Sequence, residues 1–302
     1  MKRSFIILTM TLGLFISTFV YFSCKKSDNS TTAPSPVIHV KLATSASLGQ
    51  YLVDKNGVTL YFFSDDYLGR VSCTGGCLGY WPPFYGGVLT KDSIGTGLNI
   101  ADFDTINVGG SVQTRYKGWP LYYYAPKGDG VVEAAGIISG DGASGVWFVA
   151  KPNYSIMLAS GQLKGLDGND YTSSYTVGVG NTVYFTDPYG LTLYTYAKDS
   201  FKVNEFTSAN FSNNAAWPIY DTTLIVVPSI LSASNFTTTT VDGYKQLTYN
   251  GWPLYYFGQD NKVRGSNKGV SAGSVGRWPV AVKNIAAAPT PKSGNSGGGG
   301  GY

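Results

Sequence analysis

The stretch Asp54-Lys-Asn-Gly-Val-Thr-Leu-Tyr61-Phe-Phe63-Ser-Asp-Asp66 returns later in the chain as Asp187-Pro-Tyr-Gly-Leu-Thr-Leu-Tyr194-Thr-Tyr196-Ala-Lys-Asp199. The offset is 133 residues from Asp54 to Asp187 and again from Tyr61 to Tyr194. A shorter pair keeps it: Gly118-Trp-Pro-Leu-Tyr122-Tyr-Tyr124 and Gly251-Trp-Pro-Leu-Tyr255-Tyr-Phe257. One offset shared by separate motifs marks an internal duplication, which has to be settled before any other reading. Within each half the two Tyr-x-aromatic motifs lie 61 residues apart, at Tyr61 and Tyr122 and at Tyr194 and Tyr255.

Each long motif reads as a β-hairpin. The runs Gly49-Gln-Tyr-Leu-Val53 and Val58-Thr-Leu-Tyr-Phe-Phe63 are strand-like, and Asp54-Lys-Asn-Gly57 joins them with a glycine where a left-handed backbone is needed. In the second half Asp187-Pro188-Tyr189-Gly190 does the same work in a form suited to a type I turn. Tyr249-Asn250-Gly251 is a strong hairpin signal, with Tyr116-Lys117-Gly118 as its weaker counterpart. Period-two alternation puts Tyr61 and Phe63 on one face and Leu60 and Phe62 on the other. Both faces are apolar, so the strand is expected to be covered on both sides. Asp66 then falls at the strand exit, where a short carboxylate accepts backbone N–H bonds in the following turn. The motif thus reads as a strand with a capped turn, the alternative being a Tyr–Asp pair that binds a ligand. Trp119, Trp252, Trp147 and Trp278 recur at matching places and are expected in the core; sugar stacking by exposed rings is the rival reading.

The expected fold is therefore all-β: two tandem homologous β domains, each a small antiparallel barrel or sandwich, over residues 38–155 and 156–285. The halves are rich in Tyr, Thr, Val, Gly and Asn, which favours strands, and no helical periodicity follows the N-terminal segment. The formal net charge is +4, and removal of Lys2 and Arg3 would leave +2. With no basic stripe, nucleic acid is not an expected partner. The single histidine, His39, leaves no room for a histidine-based metal site or a histidine-dependent triad. The chain has no Gly-x-Ser-x-Gly, phosphate loop or His-Glu-x-x-His, so neither an enzyme nor a cofactor is expected.

The ends carry the address. Lys2-Arg3 and the uncharged run Phe5 to Ser23 form an export signal, expected over residues 1–23. Ser23-Cys24 resembles the lipobox of lipoproteins from Bacteroidetes-type Gram-negative bacteria, although Tyr21 stands where that family usually has Leu. The resemblance implies an acylated Cys24, attachment to the membrane through that lipid, and an outer-membrane, cell-envelope location; an uncleaved anchor is the alternative. Residues 24–37 read as a flexible tether, and residues 286–302 as a Gly-rich flexible tail.

Cys73 and Cys77 remain as a pair. In an oxidising compartment they suit a structural disulfide; two thiolates binding a soft metal such as copper(I), or acting in redox chemistry, are the alternative.

Tyr61-Phe-Phe63-Ser-Asp-Asp66 followed by Cys73-Thr-Gly-Gly-Cys77-Leu-Gly-Tyr-Trp81-Pro-Pro83 resembles the lipoproteins with a Tyr-x-(Phe/Trp/Tyr)-x-x-Asp motif, also called the secreted repeat of unknown function. The motif is met at Tyr61/Phe63/Asp66, Tyr194/Tyr196/Asp199 and Tyr255/Phe257/Asp260. At Tyr122 and Tyr124 it departs, because Lys127 occupies the aspartate position and Asp129 is the substitute in view. The second half carries Ala209 and Asn213 opposite the two cysteines. The resemblance implies an exported protein of repeated β units and transfers no activity. The expected function is a non-catalytic module of the cell envelope that binds an envelope or extracellular ligand or serves as a scaffold.

Overall fold

Four antiparallel strand pairs, each running into one of the tyrosine motifs, dominate the computed structural model, which describes residues 37–291. In the first half β1 (Val40–Ser45) pairs with β2 (Gly49–Asp54), with Val40 opposite Asp54. The chain turns at Asp54, whose carboxylate Oδ1 accepts the Asn56 and Val58 amides at 2.9 and 2.8 Å. It then enters β3 (Tyr61–Phe63). A four-residue helix α1 (Cys77–Tyr80) follows. Next come β4 (Phe103–Val108), β5 (Ser111–Tyr116) and β6 (Trp119–Pro120), in one three-stranded sheet. β7 (Trp147–Val149) returns to pair with β3, Tyr61 opposite Val149.

The second half repeats the plan. β8 (Met157–Lys164) pairs with β9 (Asp170–Tyr171) on one side and β10 (Asn181–Thr186) on the other. β11 (Phe236–Val241), β12 (Tyr244–Tyr249) and β13 (Trp252–Pro253) form the sheet matching β4 to β6. The turns after β5 and β12 place Lys117-Gly118 and Asn250-Gly251 at positive φ, 51° and 75° and 47° and 84°, as a type I′ hairpin turn requires.

The protein is all-β, built from antiparallel sheets of two and three strands. Both faces of the motif strand are covered. Tyr61 packs in one apolar cluster with Trp81, Tyr122 and Trp147, while Leu60 and Phe62 pack in another with Trp119 and Leu121. Tyr194 and Leu193 divide in the same way. The expected halves lie in a single compact unit, and the apolar clusters cross between them. Phe148 of the first half packs with Phe185 and Leu247, and Met157 packs with Leu52 and Trp119. The chain past Ile285 stays attached: Trp252 donates to the Ala286 carbonyl at 2.8 Å, and the Ala288 amide to Asn250. The expected signal, the acylated Cys24, residues 25–36 of the tether and the tail from residue 292 lie outside the described residues.

Candidate functional site

In each half the two motif tyrosines sit side by side on facing strands. Tyr61 and Tyr122 exchange both backbone hydrogen bonds, at 2.9 and 3.1 Å. Tyr194 and Tyr255 do the same, at 2.9 Å both ways. Such a pair has a local twofold relationship, and the side chains follow it. Each hydroxyl donates to the carboxylate of the other motif: Tyr122 to Asp66 at 2.6 Å, Tyr255 to Asp199 at 2.8 Å and Tyr194 to Asp260 at 2.6 Å.

The fourth bond completes the set by a substitution. Tyr61 donates to Glu133, six residues beyond the position held by Lys127. The substitute considered in the sequence, Asp129, instead accepts the Val131 amide of its own turn at 2.9 Å. Glu133 has the reach of an extra methylene, and its second oxygen accepts the Ser139 amide and hydroxyl at 3.1 and 2.7 Å. Asp260 makes the matching bonds, to the Ser266 hydroxyl at 2.7 Å and the Lys268 amide at 3.0 Å. The spare oxygens of Asp66 and Asp199 accept the Ser72 and Glu205 amides at 2.6 and 2.8 Å. No fixed motif spacing in the sequence points to Glu133; a carboxylate after a glycine-bearing insertion was the one available signal.

The remaining aromatic of each motif caps a ladder of rings. Phe63 stacks on Trp147 at 4.0 Å, Trp147 on Trp81 at 3.8 Å, and Trp81 meets Tyr124 at 4.5 Å. In the second half the order is Tyr196, Trp278, Trp217 and Phe257, at 4.3, 3.6 and 4.3 Å. The motif tyrosines meet the tryptophans edge-on: Tyr61 to Trp81 at 5.4 Å and Tyr122 to Trp147 at 5.1 Å, with Tyr194 and Tyr255 matching at 5.4 and 5.3 Å. Stacked and edge-on ring pairs each contribute beyond their area burial.

All four motif tyrosines are fully buried, and so is Asp66. Burial pushes the Asp66 and Asp199 carboxyls up to about 7, against the pull of their tyrosine and amide donors. Asp260 is raised for the same reason. The tyrosine hydroxyls are raised by burial and by the carboxylates beside them. The hydroxyls of Tyr61, Tyr122, Tyr194 and Tyr255 and the carboxylates that receive them are thus committed to other parts of the fold.

Cys73 and Cys77 form a disulfide, their Cα atoms 5.4 Å apart. It closes onto α1, and the Trp81 amide bonds the Cys77 carbonyl at 2.8 Å, so the bridge fixes the segment that delivers Trp81 to its stack. In the second half hydrogen bonds replace it. Asn213 donates to the Phe206 carbonyl at 2.6 Å and accepts the Ser208 amide at 2.9 Å, ahead of Trp217. Among the described residues no three His, Cys, Asp or Glu side chains converge as metal ligands.

Two segments, residues 43–85 and 236–282, match the family described as a secreted repeat of unknown function. The first match runs from β1 through the Tyr61 motif to Tyr85, the second from β11 through the Tyr255 motif to Val282, so each takes in one strand pair and its motif. No curated protein and no solved structure matches the chain at comparable stringency.

A cavity of about 530 Å³ lies beside the Tyr255 motif in the second half, lined by Leu191, Pro218, Ile219, Phe257, Asp260 and Val263 among others.

Proposed function

We propose that this secreted repeat protein is a non-catalytic module of the cell envelope, held to the membrane by lipid on Cys24, that binds a partner or serves as a scaffold. The observation that carries the reading is the reciprocal pairing of motif tyrosines and carboxylates, which leaves the family's signature residues buried and hydrogen-bonded to one another. A reaction centre needs a group free to exchange protons or bonds with a substrate, and here both tyrosine and carboxylate are already engaged. Duplication suits binding, since two sites on one chain add avidity. The disulfide supports a structural role for the cysteines over metal or redox chemistry, and its replacement by Asn213 hydrogen bonds in the second half fits the same view.

The address is tested by fatty-acid labelling, which Cys24→Ala should abolish. The non-catalytic role is tested with Tyr122→Phe and Asp66→Asn: each should lower stability, and at a temperature where the variant is folded it should still restore whatever envelope phenotype the gene deletion loses. A fully stable variant that fails to restore it would make the motif a functional centre and sink the reading.

A further inference from the structure

The second half docks on one face of the first, and the same face recurs one repeat further on, under the end of the described chain. In the first half the face consists of Trp119, the Lys117-Gly118 turn before it and the Tyr67–Leu68 peptide beside it. The second half covers it. The Trp119 indole donates to the Pro188 carbonyl at 3.0 Å. The Arg264 guanidinium lies over the ring, 4.6 Å from the centroid, and donates to the carbonyls of Lys117 and, at 3.3 Å, Tyr67. The offset of 133 residues carries Leu68, Lys117 and Trp119 onto Phe201, Asn250 and Trp252. There residues 286–289 supply the partners. The Trp252 indole donates to the Ala286 carbonyl at 2.8 Å, the Ala288 amide to the Asn250 carbonyl at 2.9 Å, and the Phe201 amide to the Pro289 carbonyl at 2.7 Å.

The cover is thin. Trp119 is fully buried, whereas Trp252 is half-buried and Ala286, Ala287 and Pro289 are exposed. The side of the second half that docks is built by Pro188 to Gly190 and Arg264, and the first half has the same side standing free. The Gly265 amide donates to the Gly190 carbonyl as Gly136 does to Gly57, at 2.9 and 3.0 Å. Lys55 therefore corresponds to Pro188, and Ala135 to Arg264. Lys55, Asn56, Ala134, Ala135 and Ile137 are exposed, and no donor among the described residues reaches the Lys55 carbonyl. The two sides suit each other. A Cβ on Gly118 would run into Arg264, and one on Gly251 into the Phe201 ring, so Phe201 fills from within the second half the room that the guanidinium fills in the first. The small Ala135 leaves that ring its space.

We propose that residues 286–289 are a displaceable strap over a second repeat-docking face, and that with the strap withdrawn this face takes the Lys55–Ala135 side of a second copy of the chain, head to tail. The Trp252 indole then donates to the Lys55 carbonyl of the copy, as Trp119 does to Pro188 within one chain. Stacked repeats need their terminal faces closed to remain soluble. The strap is tethered to the face it closes, at an effective concentration on the mM scale, so the intact chain stays a monomer. The contact is heterologous, since each copy uses two different sides, and copies add in series rather than stopping at a twofold dimer.

The test is light scattering from the full-length protein in detergent and from the same chain ended at Ile285, as concentration is raised through the micromolar range. The intact chain should remain a monomer and the shortened chain should associate beyond the dimer. Ala135→Asp, at an exposed position, should weaken that association at least tenfold with the melting temperature unchanged. A synthetic peptide of residues 284–291, Asn-Ile-Ala-Ala-Ala-Pro-Thr-Pro, should return the shortened chain to monomer. Ala288→Pro in the full-length chain removes the amide that bonds Asn250; it should associate in the same way and gives the answer where the shortened chain folds poorly. Folded monomers in both variants, an intact chain that associates as readily as they do, association that ends at a dimer, or indifference to Ala135→Asp would each overturn the proposal. Those outcomes leave the envelope role and the structural role of the motif standing, and failure of either of those leaves the scattering readable.

Discussion

Tyr194 and Tyr255 are joined by two backbone hydrogen bonds of 2.9 Å, yet each hydroxyl bonds the carboxylate of the other's motif, Asp260 and Asp199. The consensus therefore does not describe a unit that closes on itself. Its tyrosine and its aspartate are complementary halves of two crossed contacts, and they are satisfied only when two units meet. This explains why the motif occurs in pairs, and why loss of the aspartate at position 127 is made good by another carboxylate within reach of Tyr61.

Removing one hydroxyl should test the crossing. Tyr255→Phe leaves the Asp199 Oδ2 without its donor and should cost about 1–3 kcal/mol, while Tyr255→Ala also empties a packed site and should cost about 3–5 kcal/mol. In double-mutant cycles followed by urea unfolding, Tyr255 should couple to Asp199, 56 residues away, and much less to Asp260 of its own motif. Stronger coupling within the motif would refute the crossed arrangement.

A pH dependence follows from the raised carboxyls. Asp66 and Asp199 are held near 7 in the folded protein, whereas an aspartate in an unfolded chain titrates at about 3.9. Between those values the folded state binds more protons. Their contribution is therefore complete below about pH 4 and is lost as the pH rises through about 7. Urea midpoints should fall between pH 5 and pH 8, and Asp66→Asn together with Asp199→Asn should flatten the fall. A midpoint that rises over this interval, and does so equally in the double variant, would contradict the assignment.

Much of this arrangement was legible in the chain. The shared offset gave the duplication, Lys117-Gly118 and Asn250-Gly251 gave the turns, and alternation gave the two covered faces of Tyr61-Phe-Phe63. Those signals are local: a turn needs a left-handed residue and a strand needs period two. The crossing of Tyr122 to Asp66 was not legible, because a carboxylate at a strand exit looks the same whether it caps its own turn or reaches a hydroxyl 56 residues away. Asp66 in fact does both, through its two oxygens. Glu133 was hidden by the insertion before it. The ring ladders escaped for a related reason. Trp81 and Trp147 lie far apart in sequence, and only the pairing of β3 with β7 brings Trp147 between Phe63 and Trp81.

The disulfide should matter mainly to the first half. Unreduced protein should weigh about two mass units less than the dithiol form. Replacing both cysteines by Ser should lower stability by an amount on the order of 2 kcal/mol, as expected for a short closed loop. Hydrogen exchange should report the loss around Trp81 and Trp147 and spare Trp217, whose segment Asn213 secures. Equal loosening at Trp217 would show that the bridge acts on the whole molecule.

Arg264 should decide whether the two halves unfold together. Its guanidinium lies over the Trp119 ring, 4.6 Å from the centroid, and donates to the carbonyls of Lys117 and, at 3.3 Å, Tyr67. All three belong to the first half. Burial pushes the group down to about 10, so it remains charged at neutral pH and depends on those carbonyls for the solvation it has lost. Beside it Trp119 donates to the Pro188 carbonyl at 3.0 Å, and Phe148 and Met157 pack into clusters shared between the halves. The intact protein should therefore melt in one transition, with calorimetric and van't Hoff enthalpies equal. Arg264→Ala deprives two carbonyls of their donor and uncovers Trp119. It should lower the melting temperature and broaden or split the transition, the van't Hoff enthalpy falling below the calorimetric one. Two resolved transitions in the unaltered protein would show that the halves unfold independently, and an unchanged single transition in Arg264→Ala would show that the shared apolar clusters, and not this cation, set the cooperativity.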